Sequence, residues 1–103
     1  TLSEQLPWIE QAKLFVSDVE ILRLHYAETL KLWRDSFETN RKKVLAMYDE
    51  KFCRMWEFYL AGCEAAFRHG VLMVFQIQLS KSLDTVPLTR DYIADFENAH
   101  FNR

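Results

Sequence analysis

Two consecutive amphipathic segments dominate the middle of the sequence and limit what the chain can fold into. Over residues 24–47 apolar side chains recur at intervals of three, four or their sum, and charged side chains occupy the positions between them. Residues 49–69 repeat the pattern, with Asp49 suited to cap the start of a helix and Gly70 to end it. The pattern predicts two long helices, 24–47 and 49–69, packed as an antiparallel pair.

Shorter segments with the character of strands flank this pair. Residues 14–22 are rich in β-branched and aromatic side chains, and residues 71–81 alternate apolar with polar ones. A short helix is predicted for residues 2–12, and the weakly periodic tail, 82–103, is expected to form a helical turn or to fray. The predicted fold class is α+β and mostly helical. Because a two-stranded sheet is barely stable alone, the strands are expected to pair with further strands or a partner chain.

Length and charge limit the number of folded units and the kinds of partner that the protein can have. The chain has 103 residues, half of them apolar, which suits a single folded unit spanning 1–103. Thirteen basic and fifteen acidic side chains are mixed along the sequence. No strong field for a nucleic-acid backbone results, so no nucleic acid is expected as a partner. The chain enters a helix start directly at Thr1, with Glu4 in capping-box spacing, which suggests a piece of a longer protein.

The sequence also limits the expected compartment. No apolar run approaches the roughly 20 residues that a membrane-spanning helix needs, and the N-terminus lacks the pattern of a signal peptide. The two cysteines, Cys53 and Cys63, lie ten residues apart, a spacing that suits neither a local disulfide nor a two-residue metal clip. A reducing cytoplasm is therefore the expected location.

The residue types that carry most enzyme chemistry occur in patterns that structural roles explain. Neither Gly62 nor Gly70 sits in a strand-to-helix turn, where a phosphate-cradling loop needs glycine. The three histidines are scattered at the ends of elements, so no metal site is predicted. Cys63 has apolar or phenolic neighbours one helical turn away, which favours a small buried side chain over a nucleophile.

Tyr26 is the residue whose role the pattern leaves open. It shares a helix face with Leu30 and Trp33, which indicates that its ring is buried. A buried phenol requires a hydrogen-bond partner, and these apolar neighbours supply none. Periodicity alone favours a core role for Tyr26 over a site role.

Three stretches together carry a family resemblance: HYAETLKLW at 25–33, YDEKFCRMWEFYLAGCEAAFRHG at 48–70 and VLMVFQIQLSK at 71–81. They closely resemble the C-terminal portion of the cyclopropane-fatty-acyl-phospholipid synthases, and the mycolic acid cyclopropane synthases are more distant relatives with the same layout. The resemblance runs from about Leu2 to Lys81. Its specific motifs are HYxxTLxxW and YLxGCxxxFR.

The resemblance implies an enzyme that transfers the methyl group of S-adenosylmethionine to a cis double bond in a phospholipid acyl chain and closes the cation into a cyclopropane. It leaves open which lipid is used and whether the product is a ring or a methyl branch. It assigns Tyr26 as a ligand of a bicarbonate ion that accepts the proton. It also places Leu30, Tyr59 and Cys63 in or near the channel for the acyl chain.

The resemblance further implies the C-terminal part of a Rossmann-like class I methyltransferase domain. The two strands would end its seven-stranded sheet, and the helices between them would cover the pocket. The glycine-rich donor loop and the cysteine, glutamate and histidine that complete the family's bicarbonate site match nothing in these 103 residues. The chain alone is therefore expected to be inactive and to bind no cofactor.

Expectations about partners follow from the same resemblance. The whole protein would be cytoplasmic and peripheral to the inner membrane. The isolated chain is expected to form a homo-oligomer, such as a strand-exchanged dimer, because an unpaired strand edge and apolar faces would be exposed. The alternative hypothesis is a non-catalytic helical module that binds a partner protein or an acyl chain.

Overall fold

The computed structural model describes residues 1–101, which form five helices and two strands. In chain order these are α1 Leu2–Gln11, β1 Phe15–Ile21, α2 Arg23–Thr39, α3 Arg41–Met47, α4 Glu50–Arg68, β2 Phe75–Ser80 and α5 Asp91–His100. The chain divides into two compact units: a central unit of residues 20–76 and a terminal unit of residues 1–19 with the chain after residue 76. The expectation of a single folding unit stays a prediction, because such a division does not measure folding cooperativity.

Helices α2 and α4 pack as the antiparallel pair expected from the sequence. The side chain of Arg23, at the start of α2, donates to the carbonyls of Phe67 and Arg68 at the end of α4, at 2.8 and 2.9 Å. The buried apolar residues of the described chain all lie between these two helices: Ala27, Leu30, Phe37, Cys53, Leu60 and Phe67. The hydrophobic stripe of each helix therefore supplies half of one small core.

Residues 24–47 form two helices instead of the single one expected. The break lies at Asn40, where φ is −103° and ψ is 8°. The Asn40 side-chain amide donates to the Ser36 carbonyl at 2.9 Å, and the Thr39 hydroxyl donates to the Asp35 carbonyl at 3.0 Å. Short polar side chains compete in this way with the backbone ladder of a helix. The apolar period continues across the break, so the sequence pattern did not reveal the break.

The two ends of α4 follow the signals in the sequence. A carboxylate oxygen of Asp49 accepts a hydrogen bond from the Phe52 N–H at 2.7 Å, which satisfies one of the free donors at the helix start. At the other end Gly70 has φ of 81°, and the Val71 N–H donates back to the Ala66 carbonyl at 2.9 Å. This is the Schellman arrangement, for which glycine is the favoured residue.

The two strands pair antiparallel, and β2 is shorter than the predicted 71–81. The Leu22 N–H donates to the Val74 carbonyl at 2.9 Å, and the Ser17 hydroxyl donates to the Gln78 carbonyl at 3.1 Å. Strand β2 begins only at Phe75, after a turn in which the Val71 and Leu72 amides both donate to the Ala66 carbonyl of α4. Within residues 1–101 these two strands are the whole sheet, and six of the seven residues of β1 are exposed.

The tail, for which the sequence left two outcomes, contains the helix α5. Polar contacts hold it within the terminal unit: Arg90 pairs with Asp18 at 2.5 Å, and the Tyr92 hydroxyl donates to the Gln78 side chain at 2.8 Å. The observed architecture is thus mostly helical, with an antiparallel helix pair and two antiparallel strands, as the fold class predicted.

Candidate functional site

A groove opens along one flank of the contact between α2 and α4, entirely within the central unit. Its volume is about 350 Å³, which is within the usual range for small-molecule sites. Its lining is almost wholly apolar or aromatic: Tyr26, Leu30, Trp33, Trp56, Tyr59, Leu60, Cys63, Phe67 and Leu72. We call it the α2–α4 groove. All four site residues singled out from the sequence lie on its wall.

Helical spacing brings these side chains together. On α2 the lining residues Tyr26, Leu30 and Trp33 follow one another at intervals of four and three, so they stack along one face. The lining residues of α4 recur with the same spacing, and its antiparallel direction sets them opposite those of α2. The turn after Gly70 then adds Leu72 at the Tyr26 end.

Tyr26 is half-buried, which corrects the expectation of a fully buried ring. The edge-to-face neighbours of its ring are Phe67, with a centroid separation of 4.8 Å, and Trp33, at 6.0 Å. Such contacts fix a ring's orientation. The Tyr26 hydroxyl makes no hydrogen bond to any other group within residues 1–101. It is therefore free to donate to a molecule in the groove.

Tyr59 and Cys63 lie one turn apart on α4 and interact with each other. The charge of the Cys63 thiolate raises the pKa of Tyr59 above its usual 10.0, and partial burial and the phenol of Tyr26 act in the same direction. Tyr59 is 53% exposed, so solvent weakens these effects. The three polar groups of the groove thus lie close enough to influence one another, and the Tyr59 phenol stays neutral at physiological pH.

Stacked rings lead along α4 toward the groove. Successive ring centroids of Tyr48, Phe52, Trp56 and Tyr59 are 4.4, 6.1 and 5.2 Å apart, with interplanar angles of 26° or less. A second, more open apolar recess of about 330 Å³ lies beside the groove, lined by Met55, Phe58, Tyr59, Gly62 and Cys63. Tyr59 and Cys63 border both spaces. Cys63, expected to be a small buried side chain, is instead half-buried between them.

Sequence reasoning did not assign five lining residues to the site: Trp33, Trp56, Leu60, Phe67 and Leu72. The first four lie on the apolar faces of the two helices, and Trp33, Leu60 and Phe67 are also residues of the motifs HYxxTLxxW and YLxGCxxxFR. A second signal was their spacing, because Trp33 is three residues beyond Leu30 and Phe67 is four beyond Cys63. Leu72 carried no such signal, since the turn at Gly70 places it.

Residues 1–101 contain neither a cluster of metal-ligating side chains nor a membrane-spanning helix. No three histidine, cysteine, aspartate or glutamate side chains in this part of the chain are grouped as metal ligands would be. No helix among the described residues combines the length and the apolar character needed to cross a bilayer.

Comparison with known proteins identifies the family. Residues 3–77 match the family model described as mycolic acid cyclopropane synthetase. The chain belongs to this family. The match covers the whole central unit, including every residue of the groove, and it confirms the resemblance seen in the sequence.

Two relatives show how close the similarity is. The chain is 48% identical over 67 residues to a "Probable fatty acid methyltransferase" of Pseudomonas putida, a stretch covering 65% of this chain and 17% of that protein. It is 52% identical over 64 residues to "Tuberculostearic acid methyltransferase UfaA1" of Mycobacterium tuberculosis, covering 61% of this chain and 15% of that protein. The chain thus spans about a sixth of the length of these relatives.

A solved structure gives the same result for the fold. The cyclopropane synthase MmaA2 from Mycobacterium tuberculosis superposes with a TM-score of 0.73 at 26% sequence identity, covering 77% of this chain and 28% of that one. The chain therefore has the fold of part of a cyclopropane synthase, a class I methyltransferase.

Proposed function

We propose that the protein containing this chain uses S-adenosylmethionine to modify a cis double bond in the acyl chain of a phospholipid, as a cyclopropane synthase. Family membership and relatives named as fatty acid methyltransferases support the reaction class. One observation supports a site in this chain. Tyr26 lines an apolar groove, and its hydroxyl has no hydrogen-bond partner within residues 1–101.

The α2–α4 groove suits an acyl chain because hydrocarbon gains free energy by leaving water for an apolar lining. Leu30, Tyr59 and Cys63 line it together with tryptophan and phenylalanine rings. Aromatic faces also attract positive charge, and a lining that excludes water protects a carbocation from hydrolysis. In this proposal the groove both holds the acyl chain and stabilises charge that develops at its double bond.

The Tyr26 hydroxyl would donate a hydrogen bond to one oxygen of a bicarbonate ion. Bicarbonate, when bound, supplies the base that accepts the proton. A neutral phenol suits this task because it donates a hydrogen bond and brings no negative charge that would repel the anion in a partly dry site. Tyr26 would be one of several ligands that the ion needs. Gly62 lies within α4 and Gly70 between α4 and β2, so neither is in a strand-to-helix turn of the kind that cradles a nucleotide. We therefore propose that S-adenosylmethionine binds to other parts of the whole protein. The isolated chain is therefore proposed to be inactive.

Replacing Tyr26 by phenylalanine tests the assignment, because Tyr26→Phe removes one oxygen and keeps the ring. In the intact protein we expect turnover of an unsaturated phospholipid to fall by about 100-fold, the usual cost of losing one positioned hydrogen-bond donor. The matched control is Tyr48→Phe. Tyr48 is 61% exposed and lies outside the groove, so its loss should leave turnover unchanged.

Two outcomes would count against the proposal in different ways. Wild-type turnover and bicarbonate dependence in Tyr26→Phe would remove the site assignment and leave the reaction class standing. Absence of methyl transfer in the intact wild-type protein, together with retained binding of a fatty acid, would favour the alternative of a non-catalytic acyl-binding module. Product analysis would separate a cyclopropane from a methyl branch.

The proposal includes location and assembly. The whole protein would be cytoplasmic and would contact the inner membrane peripherally to reach its lipid. The isolated chain would self-associate, because large apolar side chains such as Phe58 and Met47 are 81% and 73% exposed. Light scattering on a size-exclusion column tests this, and a monomer persisting to high concentration would contradict it.

A further inference from the structure

Glu64 is the buried charged residue of the described chain, with 8% of its surface exposed. One carboxylate oxygen accepts a hydrogen bond from Arg68 Nε at 2.9 Å. The other lies 3.0 Å from Arg34 Nη2 on α2, an ion pair whose geometry is not that of an aligned hydrogen bond. The carboxylate is thus held between a cation of its own helix and a cation of the opposite one.

The contacts of Glu64 extend into a network that joins the two helices twice. Arg68 also pairs with Glu28 of α2 at 2.8 Å. We call Glu28, Arg34, Glu64 and Arg68 the Glu64 network. Its two links, Arg34 to Glu64 and Arg68 to Glu28, each connect α2 with α4.

The Glu64 network and the groove lie on opposite flanks of the same helix pair. Each of three network residues follows a groove residue by one position: Arg34 follows Trp33, Glu64 follows Cys63 and Arg68 follows Phe67. One residue turns a helix by about 100°, which carries the side chain to the other flank. The spacing of the helices on the network side therefore constrains the width of the groove on the other.

Tyr26 lies close to the contacts that join the end of α4 to the start of α2. Its nearest ring neighbour is Phe67, next to Arg68 in the chain. The Phe67 carbonyl is held by the side chain of Arg23 at 2.8 Å, three residues before Tyr26. The position of the Tyr26 ring thus depends on the contacts that hold the end of α4 against the start of α2.

We infer that Glu64 is a positioning residue, which through Arg34 and Arg68 sets the spacing of α2 and α4 and so places the Tyr26 hydroxyl in the groove. Stability alone does not call for a charge at this position, since apolar residues of similar size stabilise a helix contact at least as well as a buried ion pair. An ion pair differs from an apolar contact because it fixes the distance and direction between its two partners. The effect on the reaction rests on the proposed function.

The test compares Glu64→Gln with Glu57→Gln in the intact protein. Glu57 lies on the same helix and pairs with Arg41 at 3.0 Å, away from the groove, so the control also removes one interelement ion pair. We expect Glu64→Gln to lower kcat about 10-fold while KM changes less than about twofold, because a displaced catalytic hydroxyl slows the step it serves. Glu57→Gln should keep wild-type kcat.

A second variant guards against misfolding of the first. Glu28 is 62% exposed at its side chain, so Glu28→Gln removes the outer link without creating a buried polar group. Glu28→Gln should also lower kcat, by a smaller factor than Glu64→Gln does. Equal kcat values for Glu64→Gln and Glu57→Gln would overturn the inference. So would a loss of kcat/KM in Glu64→Gln that comes entirely from a higher KM.

A readout independent of turnover separates this inference from the proposed function. The Phe67 ring shifts the NMR resonances of the Tyr26 ring, and Glu64→Gln should change those shifts far more than Glu57→Gln does. If the wild-type protein shows no methyl transfer but this difference is seen, the proposed function fails and the positioning role stands. Equal shifts in the two variants would overturn the positioning role even in an active enzyme.

Discussion

The central and terminal units are stabilised by different forces. Every buried residue of the described chain lies in the central unit, where an apolar core and the Glu64 network join α2 to α4. The terminal unit has no buried residue among those described, and side-chain polar contacts such as Arg90 with Asp18 hold α5 in place. Because exposed polar contacts contribute little free energy, the central unit should retain its structure under conditions that open the terminal one.

The difference matches the location of the candidate site. A groove that must present a phenol at a defined place needs walls that keep their spacing, and only the central unit contains a core that can supply them. The groove lies wholly within this unit. The candidate site and the buried residues therefore occupy the same 57-residue segment, 20–76.

The largest effect should come from the core of the central unit. Phe37 is 8% exposed and lies outside the groove, so Phe37→Ala should lower the free energy of unfolding by about 3–5 kcal/mol. Leu88 in the terminal unit is fully exposed, and Leu88→Ala should change it by less than about 0.5 kcal/mol. Urea denaturation followed by circular dichroism measures both. Similar losses at the two sites would break the comparison.

A smaller effect is expected at the start of α4. Asp49→Ala removes the side-chain acceptor of the Phe52 N–H, and loss of such a cap costs about 1 kcal/mol. The same denaturation experiment measures the loss. Asp84→Ala, an exposed aspartate outside any helix, is the matched control and should be neutral. A neutral Asp49→Ala would mean that packing alone determines where α4 begins.

The contact that holds α5 should matter less to global stability. Arg90→Gln removes the ion pair with Asp18, and Arg90 is 66% exposed, so we expect a loss below about 1 kcal/mol. Amide hydrogen exchange should nevertheless speed up in α5 while the amides of α2 and α4 keep their protection. Lys81→Gln supplies a control. Faster exchange throughout the central unit would show that the two units are coupled.

The smallest effect concerns alkaline pH. The pKa of Tyr59 is raised above 10.0 in the folded chain, so from about pH 10 up to that raised value the unfolded chain ionises first. This contribution to stability is complete below pH 10 and is lost as the pH rises through the folded pKa. A titration of the tyrosinate absorption band, with Tyr59→Phe to identify the signal, should show its midpoint moving down in Cys63→Ala. An unchanged midpoint would mean that Cys63 is not the cause.

The local signals in the sequence predicted the frame of the molecule well. The antiparallel pair, the cap at Asp49 and the stop at Gly70 depend on side chains close together in the chain, and each is present in the structure. Several of the residues that carried the family resemblance, Tyr26 and Cys63 among them, also line one groove. Their chemical roles stay predictions.

The features that the sequence did not predict depend on competition between local and distant contacts. The break at Asn40 coincides with hydrogen bonds from the Thr39 and Asn40 side chains to carbonyls one turn back, and the unbroken apolar period does not reveal it. Strand β2 starts later than predicted, after a turn in which the amides of Val71 and Leu72 donate to α4. Glu64 continues the helical face of Leu60 and Phe67, and a charge on a buried face is a recognisable signal.

The sequence by itself determined which side chains share a face of each helix and where α4 begins and ends, because both follow from the helical period and from hydrogen bonds between near neighbours. Only the tertiary structure decided that two such faces leave a groove on one flank and an ionic contact on the other. The reason is geometric: the spacing between two helices results from all of their contacts together, and no single position in the chain specifies it.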